Sequence, residues 1–305
     1  DTSSEALAVS MGEKARVDMD YMCELTGKTE EEIFADLKGV IFLNPMYGYG
    51  NSTQAKYLMA DEYLSGNVRE KLAFARRSAQ LYPEDYTVNV EALERVQPKD
   101  LTASEIAVRL GATWLPTEIV EQFMFEFLGT PRYAQWNIKV HFSAYTGEWN
   151  IEGKSYDRSN VKAYSTYGTG RINAYKIIEE TLNLKDVRIF DYVEDADGKK
   201  KAILNKKETA IAQAKQELIK QGFQDWVWSD PERRERLCIL YNEKFNSLRP
   251  REYDGSHIVF SGMNPDISLR EHQRNAIAHV LYGGNTLLAH EVGAGKSFEM
   301  VATVM

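Results

Sequence analysis

The sequence predicts an α+β fold: a mostly helical domain, then β-hairpins, then the truncated start of an α/β unit. Three observations carry this. From Val17 to Leu128 apolar residues recur at helical spacing between N-capping residues and stop-glycines. Near Pro131 the period changes from 3.6 to 2, as half-buried strands require. The last forty residues close on an apolar strand, a glycine-rich loop, Lys-Ser and a helix start. The 305 residues fit about two domains. With 43% hydrophobic residues there is ample material for cores. No stretch approaches 18 consecutive apolar residues, so no transmembrane helix is expected. The first twenty residues lack the basic-then-apolar order of a signal peptide. Cys23 and Cys238 have no CxxC partner and read as small buried hydrophobes, so a reduced, cytoplasmic protein is expected.

The elements follow in order. Residues 1–12 show no helical period and read as a flexible leader. Val17, Tyr21 and Leu25 form a helix that Gly27 stops, and Thr29 with Glu32 is a capping box for the next. Gly39 ends that helix and 40–44 is a short strand. Helix, turn, helix, strand is the order of a winged-helix unit, but Glu30, Glu31, Glu32 and Asp36 on the would-be recognition helix would repel phosphate, so the unit reads as structural. A loop over 45–60 precedes a helix ending near Gln80. Tyr82–Asp85 is a turn and 88–96 a shorter helix. Thr102 with Glu105 caps a helix through Ile106 and Leu110, and 117–128 is a helix with Val120, Phe123 and Phe127 inward. Two hairpins follow, one around Tyr145–Gly147 and one around Ala196–Gly198, with a loop and helix between them. Asn205 with Glu208 opens a helix whose face is Ile211, Ala214 and Leu218, and Ser229–Pro231 starts another. The polar stretch 249–257 reads as a linker. The expected division is a leader at 1–12, a helical domain with a winged-helix-like start at 13–130, an α+β segment at 131–255 and the truncated unit at 256–305.

A formal charge of −8 disfavours a protein that coats nucleic acid over its whole surface, but not a local basic groove. Arg69, Lys71, Arg76 and Arg77 form one basic island, and Lys199, Lys200 and Lys201 another. They are the candidate nucleic-acid contacts, against the plainer reading of solvated faces. The five histidines have no metal-ligand spacing, and the five tryptophans read as packing residues rather than base-stacking platforms.

The chemistry lies in 267–305. Ser268 with Glu271 caps a helix with Ala276, Ile277, Val280 and Leu281 on its apolar side. A Gly283-Gly284 turn and the strand 286–289 lead into His290-Glu291-Val292-Gly293-Ala294-Gly295-Lys296-Ser297. This is the context of a phosphate-binding loop. Glycines let backbone N–H groups turn inward around phosphates. The following helix presents its positive end. In such a loop Lys296 can reach the β- and γ-phosphates of a nucleotide, and Ser297 supplies a hydroxyl to Mg²⁺. The strict motif wants glycine where His290 stands.

The segment LLAHEVGAGKS resembles motif I of superfamily 2 helicases, nearest to the Swi/Snf-type branch, with His290 in place of an acid and Ser297 in place of threonine. The stretch LREHQ (269–273) resembles that branch's adenine-recognition element. The resemblance implies that Arg270 and Gln273 belong to the nucleotide site, with Gln273 reading adenine and Glu291 to Ser297 forming the loop. It also implies a RecA-like lobe, ATP and Mg²⁺ as cofactors, and DNA as the partner of the motor. Residues 60–72, 109–116 and 245–273 resemble very large bacterial mobile-element and phage proteins that join an adenine-specific DNA methyltransferase to a helicase, DarB-type antirestriction proteins among them. That implies a bacterial, cytoplasmic ATP-dependent DNA translocase or helicase. The chain then reads as a fragment ending just after the loop and without ATPase activity of its own. Its pre-motor region either engages DNA or links domains structurally.

One further stretch resembles the Asn-Pro-Pro-Tyr turn of adenine methyltransferases: Asn44-Pro45-Met46-Tyr47 after a strand. There the asparagine and proline bind the amino group of a flipped base and the aromatic stacks on it. A methyltransferase remnant is therefore the alternative. The glycine-rich cofactor loop that should precede it is not seen in the 43 residues before Asn44, and a plain turn accounts for the same residues.

Overall fold

The computed structural model describes residues 2–48, 55–194, 200–260, 262–264, 266–283 and 285–304. Among them the architecture is α+β, helices with small antiparallel sheets. The chain forms two compact units: Asp1–Lys99 with Phe245–Met305, and Asp100–Lys244. This division differs from the boundaries at 130 and 255 that periodicity gives, because the first unit is completed by chain returning after the second.

The first unit opens with α1 (Ser3–Lys14), α2 (Met19–Thr26) and α3 (Glu30–Asp36), then β1 (Ile41–Leu43) and β2 (Tyr57–Met59), paired antiparallel. Residues 3–14 are thus a helix and not a flexible leader. Thr2 and Glu5 form a reciprocal capping box, and Ser3, Ala6, Leu7 and Ser10 bury one face. Small side chains on that face hide its period in the sequence. The Thr29–Glu32 box and the left-handed Gly27 stand as expected. Met22, Ile33, Leu37 and Ile41 are completely or almost completely buried beneath the three helices.

The short α4 (Ala60–Tyr63), β3 (Gly66–Asn67), α5 (Val68–Leu81) and α6 (Pro83–Arg95) follow. Residues 82–85 are not a free turn: Pro83 takes the first helical position of α6, where its missing N–H costs nothing. Phe42, Tyr63, Val68 and Leu93 make the core here, and burial pushes the Tyr63 phenol up to about 12.

In the second unit α7 (Thr117–Leu128) and α8 (Arg132–Gln135) precede the hairpin β4 (Lys139–Ser143)–β5 (Glu148–Glu152). A π-helical turn at 162–166 and α9 (Ala174–Leu182) lead to the hairpin β6 (Phe190–Glu194)–β7 (Lys200–Leu204). The Ala196–Gly198 turn expected between these strands lies outside the described residues. Next come α10 (Lys206–Val227) and α11 (Pro231–Phe245).

Two expectations fail in this unit. Thr102 N–H and its hydroxyl both donate to Glu105 Oε2, but Glu105 N–H bonds the Thr102 carbonyl and only a turn follows. Ile106, Val108 and Leu110 are buried at alternate positions, the period of extended chain, and Gly111 at φ +97° passes close to the Leu182 carbonyl. On α10 the buried face is Ala212, Gln216, Ile219 and Phe223, while Ile211 and Leu218 are exposed. Phe123, Met124 and Leu128 of α7, Tyr175 and Ile178 of α9 and Phe223 of α10 share one core.

The last stretch returns to the first unit. β8 (Leu248–Arg249) pairs with β3, so residue 249 belongs to a sheet rather than a linker. Arg251 reinforces this with an ion pair to Asp61 at 2.8 Å. α12 (Glu271–Gly283) and α13 (Lys296–Val304) complete the chain. Residues 286–289 form no strand, and Leu287 is 87% exposed. A strand is held by its ladder, and no neighbour among the described residues pairs with this one.

Candidate nucleotide site

The two sequence stretches assigned to nucleotide binding meet in space. α12 and α13 share a small core of Leu269, Ile277 and Ala302, and across it Gln273 reaches the loop. Its Nε2 donates to the Ala294 carbonyl at 3.1 Å and to that of Gly295 at 3.4 Å, while its Oε1 accepts from Arg270 N–H at 2.9 Å. Gln273 is buried, whereas the rest of Arg270 is exposed.

The loop between His290 and Lys296 turns on two glycines in the left-handed region, Gly293 at φ +89° and Gly295 at φ +91°. A Cβ on Gly293 would meet nothing within 4 Å, but one on Gly295 would stand 2.3 Å from Gln273 Nε2. Lys296 folds back over the loop, its Nζ donating to the His290 carbonyl at 2.8 Å and the Glu291 carbonyl at 3.0 Å. The Gly295 carbonyl accepts from Phe298 N–H at 2.9 Å, which starts α13. Ser297 and the fully exposed Val292 face solvent.

Three residues outside the sequence-predicted set complete the arrangement. His272 Nε2 lies 3.0 Å from the Ala294 carbonyl. His290 Nδ1 lies 2.9 Å from Glu299 Oε1, and Glu299 is completely buried. Its Oε2 has no hydrogen-bond partner among the described residues. Burying a carboxylate is costly unless it is paired, so the His290 contact is what makes Glu299 tolerable there. A glutamate inside the apolar run of α13 was the sequence signal for this pair.

This residue set fits a nucleoside triphosphate with its cation. The loop has two glycines free of Cβ atoms, an amine resting on carbonyls it can leave, and a hydroxyl at the first turn of a helix. Among the described residues no group of three or more His, Cys, Asp or Glu is placed to hold a metal by itself.

The candidate nucleic-acid residues fare differently. Arg69 donates to the carbonyls of Asn246 at 2.8 Å and Pro98 at 3.3 Å. Lys71 gives its amine to three carbonyls: Ser65 at 2.8 Å, Tyr63 at 2.9 Å and Glu62 at 3.2 Å. Both side chains hold the first unit together rather than offering charge to a phosphate. Arg76 pairs with Glu94 at 2.8 Å, and the Arg77 guanidinium lies over the Phe74 ring. Lys200 and Lys201 are exposed on β7, and Lys199 lies outside the described residues.

Asn44, the methyltransferase-like residue, is buried and engaged internally. Its Nδ2 donates to the Ala55 carbonyl and its Oδ1 accepts from Met46 N–H, an Asx-type turn, while Tyr47 is exposed.

Comparison with known families agrees with part of this picture. Residues 1–51 match the family described as "Probable helicase, winged helix domain". Residues 109–247 match a domain of unknown function, DUF8437. No curated protein and no solved structure matches the chain. Over its first 51 residues the chain is therefore helicase-related, and α1 to β2 have the three-helix-and-hairpin order of a winged helix. The DUF8437 match coincides closely with the second compact unit. No helix among the described residues is long and apolar enough to cross a membrane.

Proposed function

We propose that this chain carries the nucleotide-binding loop of an ATP-dependent DNA helicase or translocase of superfamily 2, of the kind joined to DNA methyltransferases in bacterial mobile elements. The observation that carries the reading is the meeting of Gln273 with Ala294 and Gly295. Two motifs some twenty residues apart in the sequence meet in the structure, as a shared nucleotide site requires. The helicase-related winged helix at 1–51 supports it independently.

In this reading Gly293, Gly295 and the first N–H groups of α13 cradle the phosphates, and Lys296 leaves the His290 and Glu291 carbonyls to meet the β- and γ-phosphates. Ser297 is the cation's protein ligand. When bound, ATP with Mg²⁺ would supply a γ-phosphoryl group whose transfer to water, with ADP leaving as the phosphoanhydride bond breaks, would drive movement along DNA. Gln273 contributes adenine recognition, and its present bonds to the loop tie base reading to loop shape. The test is equilibrium binding of a fluorescent ATP analogue with Mg²⁺. Saturable binding that Lys296→Ala abolishes supports the loop. Binding that survives Lys296→Ala unchanged overturns it.

A further inference from the structure

The second unit contains an aromatic side chain that its core does not use. Of the five tryptophans, Trp149 is buried and Trp114, Trp226 and Trp228 pack against the main cluster, whereas Trp136 is 82% exposed. Sequence alone grouped all five as packing residues.

Trp136 is not on a loose loop. It follows directly on α8, in helical conformation itself, and Ala134 and Ile138 on either side are completely buried. Ile138 N–H bonds the Ala134 carbonyl at 3.1 Å, and Gln135 Nε2 bonds the Thr130 carbonyl at 2.7 Å. The inward pair holds the turn and fixes the indole outward. A large apolar ring held rigidly in water is unfavourable for the free protein.

The surroundings indicate what the ring meets. Trp136, Arg132, Gln135, Lys139 and Phe125 line one open depression of about 380 Å³. Arg132 lies one helical turn before Trp136, so the two share a face, and Arg132 and Lys139 are both exposed. Of the nearby acids, Glu121 accepts from Val140 N–H through Oε1 and stands 3.9 Å from Lys139 Nζ through Oε2, Glu126 accepts from the Trp226 indole at 2.6 Å and from Gln122 at 2.8 Å, and Glu118 is exposed, so Arg132 is the cation with no acid against it among these residues. A planar platform between two cations matches a strand with unpaired bases, one base stacking on the indole while neighbouring phosphates reach Arg132 and Lys139.

We infer that Trp136, flanked by Arg132 and Lys139, is a stacking platform for single-stranded nucleic acid. The inference rests on the reading of this chain as part of a nucleic-acid motor and names the surface that the basic islands did not supply.

The experiment is fluorescence anisotropy of labelled dT20, rU20 and a 20-base-pair duplex with the full chain at low salt. Trp136→Ala should weaken strand binding by about five- to a hundredfold, the span of base–aromatic stacking, and Trp136→Phe should restore part of it. Arg132→Gln and Lys139→Gln should each flatten the salt dependence. A larger loss on dT20 than on rU20, or the reverse, identifies the sugar of the strand. The thermal midpoint should not move, because the ring is outside the core. Unchanged strand affinity in Trp136→Ala, or no strand binding by the wild type, overturns the inference. So does a Trp136→Ala effect confined to self-association in sedimentation velocity, which would assign the ring to a protein contact. Nucleotide binding with its Lys296→Ala control is read separately, so failure of the platform and failure of the nucleotide loop are distinguishable.

Discussion

Gly295→Ala is the sharpest test of the contact between Gln273 and the loop. At φ +91° an alanine pays about 1–2 kcal/mol for left-handed backbone. Its Cβ would also stand 2.3 Å from Gln273 Nε2, so the amide must leave. That forfeits the bonds to Ala294 and Gly295, worth about 0.5–1.5 kcal/mol each. The expected total is about 2–5 kcal/mol against the closed loop. Gly293→Ala is the matched control. Its φ is +89° but nothing lies within 4 Å of the added carbon, so only the strain of about 1–2 kcal/mol applies. The two variants should therefore differ by about 1–3 kcal/mol, or about five- to 150-fold in the closed population. Hydrogen exchange at Ala294 and Phe298, whose N–H groups bond Glu291 and Gly295, reports that population directly. Gln273→Ala combined with Gly295→Ala should match Gly295→Ala alone, since both lack the two amide bonds and carry the same backbone strain. Equal exchange in the two single variants, or a double variant clearly less protected than Gly295→Ala alone, refutes the claim that Gln273 holds the loop.

Two further outcomes follow from the first unit. Lys71→Met leaves three carbonyls without their shared donor and should cost about 2–4 kcal/mol in urea unfolding without weakening DNA binding beyond that instability; a specific loss of DNA affinity at full stability would return Lys71 to the surface role that sequence suggested. Glu30 is held below its ordinary range by its hydrogen bonds from Lys56 and Tyr57, so its contribution is present above the usual carboxylate range and lost as pH falls through the lowered value; Glu30→Gln should make acid unfolding less steep, and identical acid profiles would show that the pair adds nothing.

How much of this was legible follows from how local each signal is. The Thr29 capping box, Gly27, Asn205 with Glu208 and the Tyr145–Gly147 turn are encoded within four residues, and each stands where the sequence put it. The left-handed turns at Gly293 and Gly295 are equally local. Pro83 was misread because proline serves both a turn and a first helical position. Leu287 and Leu288 looked like a strand because apolar β-formers do, but pairing depends on distant chain. Arg69 and Lys71 look identical in sequence whether they meet phosphate or cap a carbonyl. His272 and Glu299 become site residues only when α12 meets α13. Trp136 and Trp149 are both tryptophans near the first hairpin, and they separate by phase: Trp149 alternates inward with Ile151, while Trp136 falls between the inward Ala134 and Ile138.

The winged helix constrains where nucleic acid can bind. Residues 1–51 hold ten acids against four bases, and four of the acids are on α3, the element that would enter a groove. Glu30 is tied to Lys56 and Tyr57, and Asp36 to Lys28 and Ser3, so part of that charge serves to knit the unit. The remaining negative charge still faces outward, and it would repel a phosphate backbone that binds chiefly by counterion release. The charge on α3 disfavours it as the element that meets a phosphate backbone. In the proposed reading, the contact with nucleic acid comes from elsewhere in the chain. Residues 109–247 carry the exposed indole of Trp136 beside Arg132, the surface proposed above for that contact.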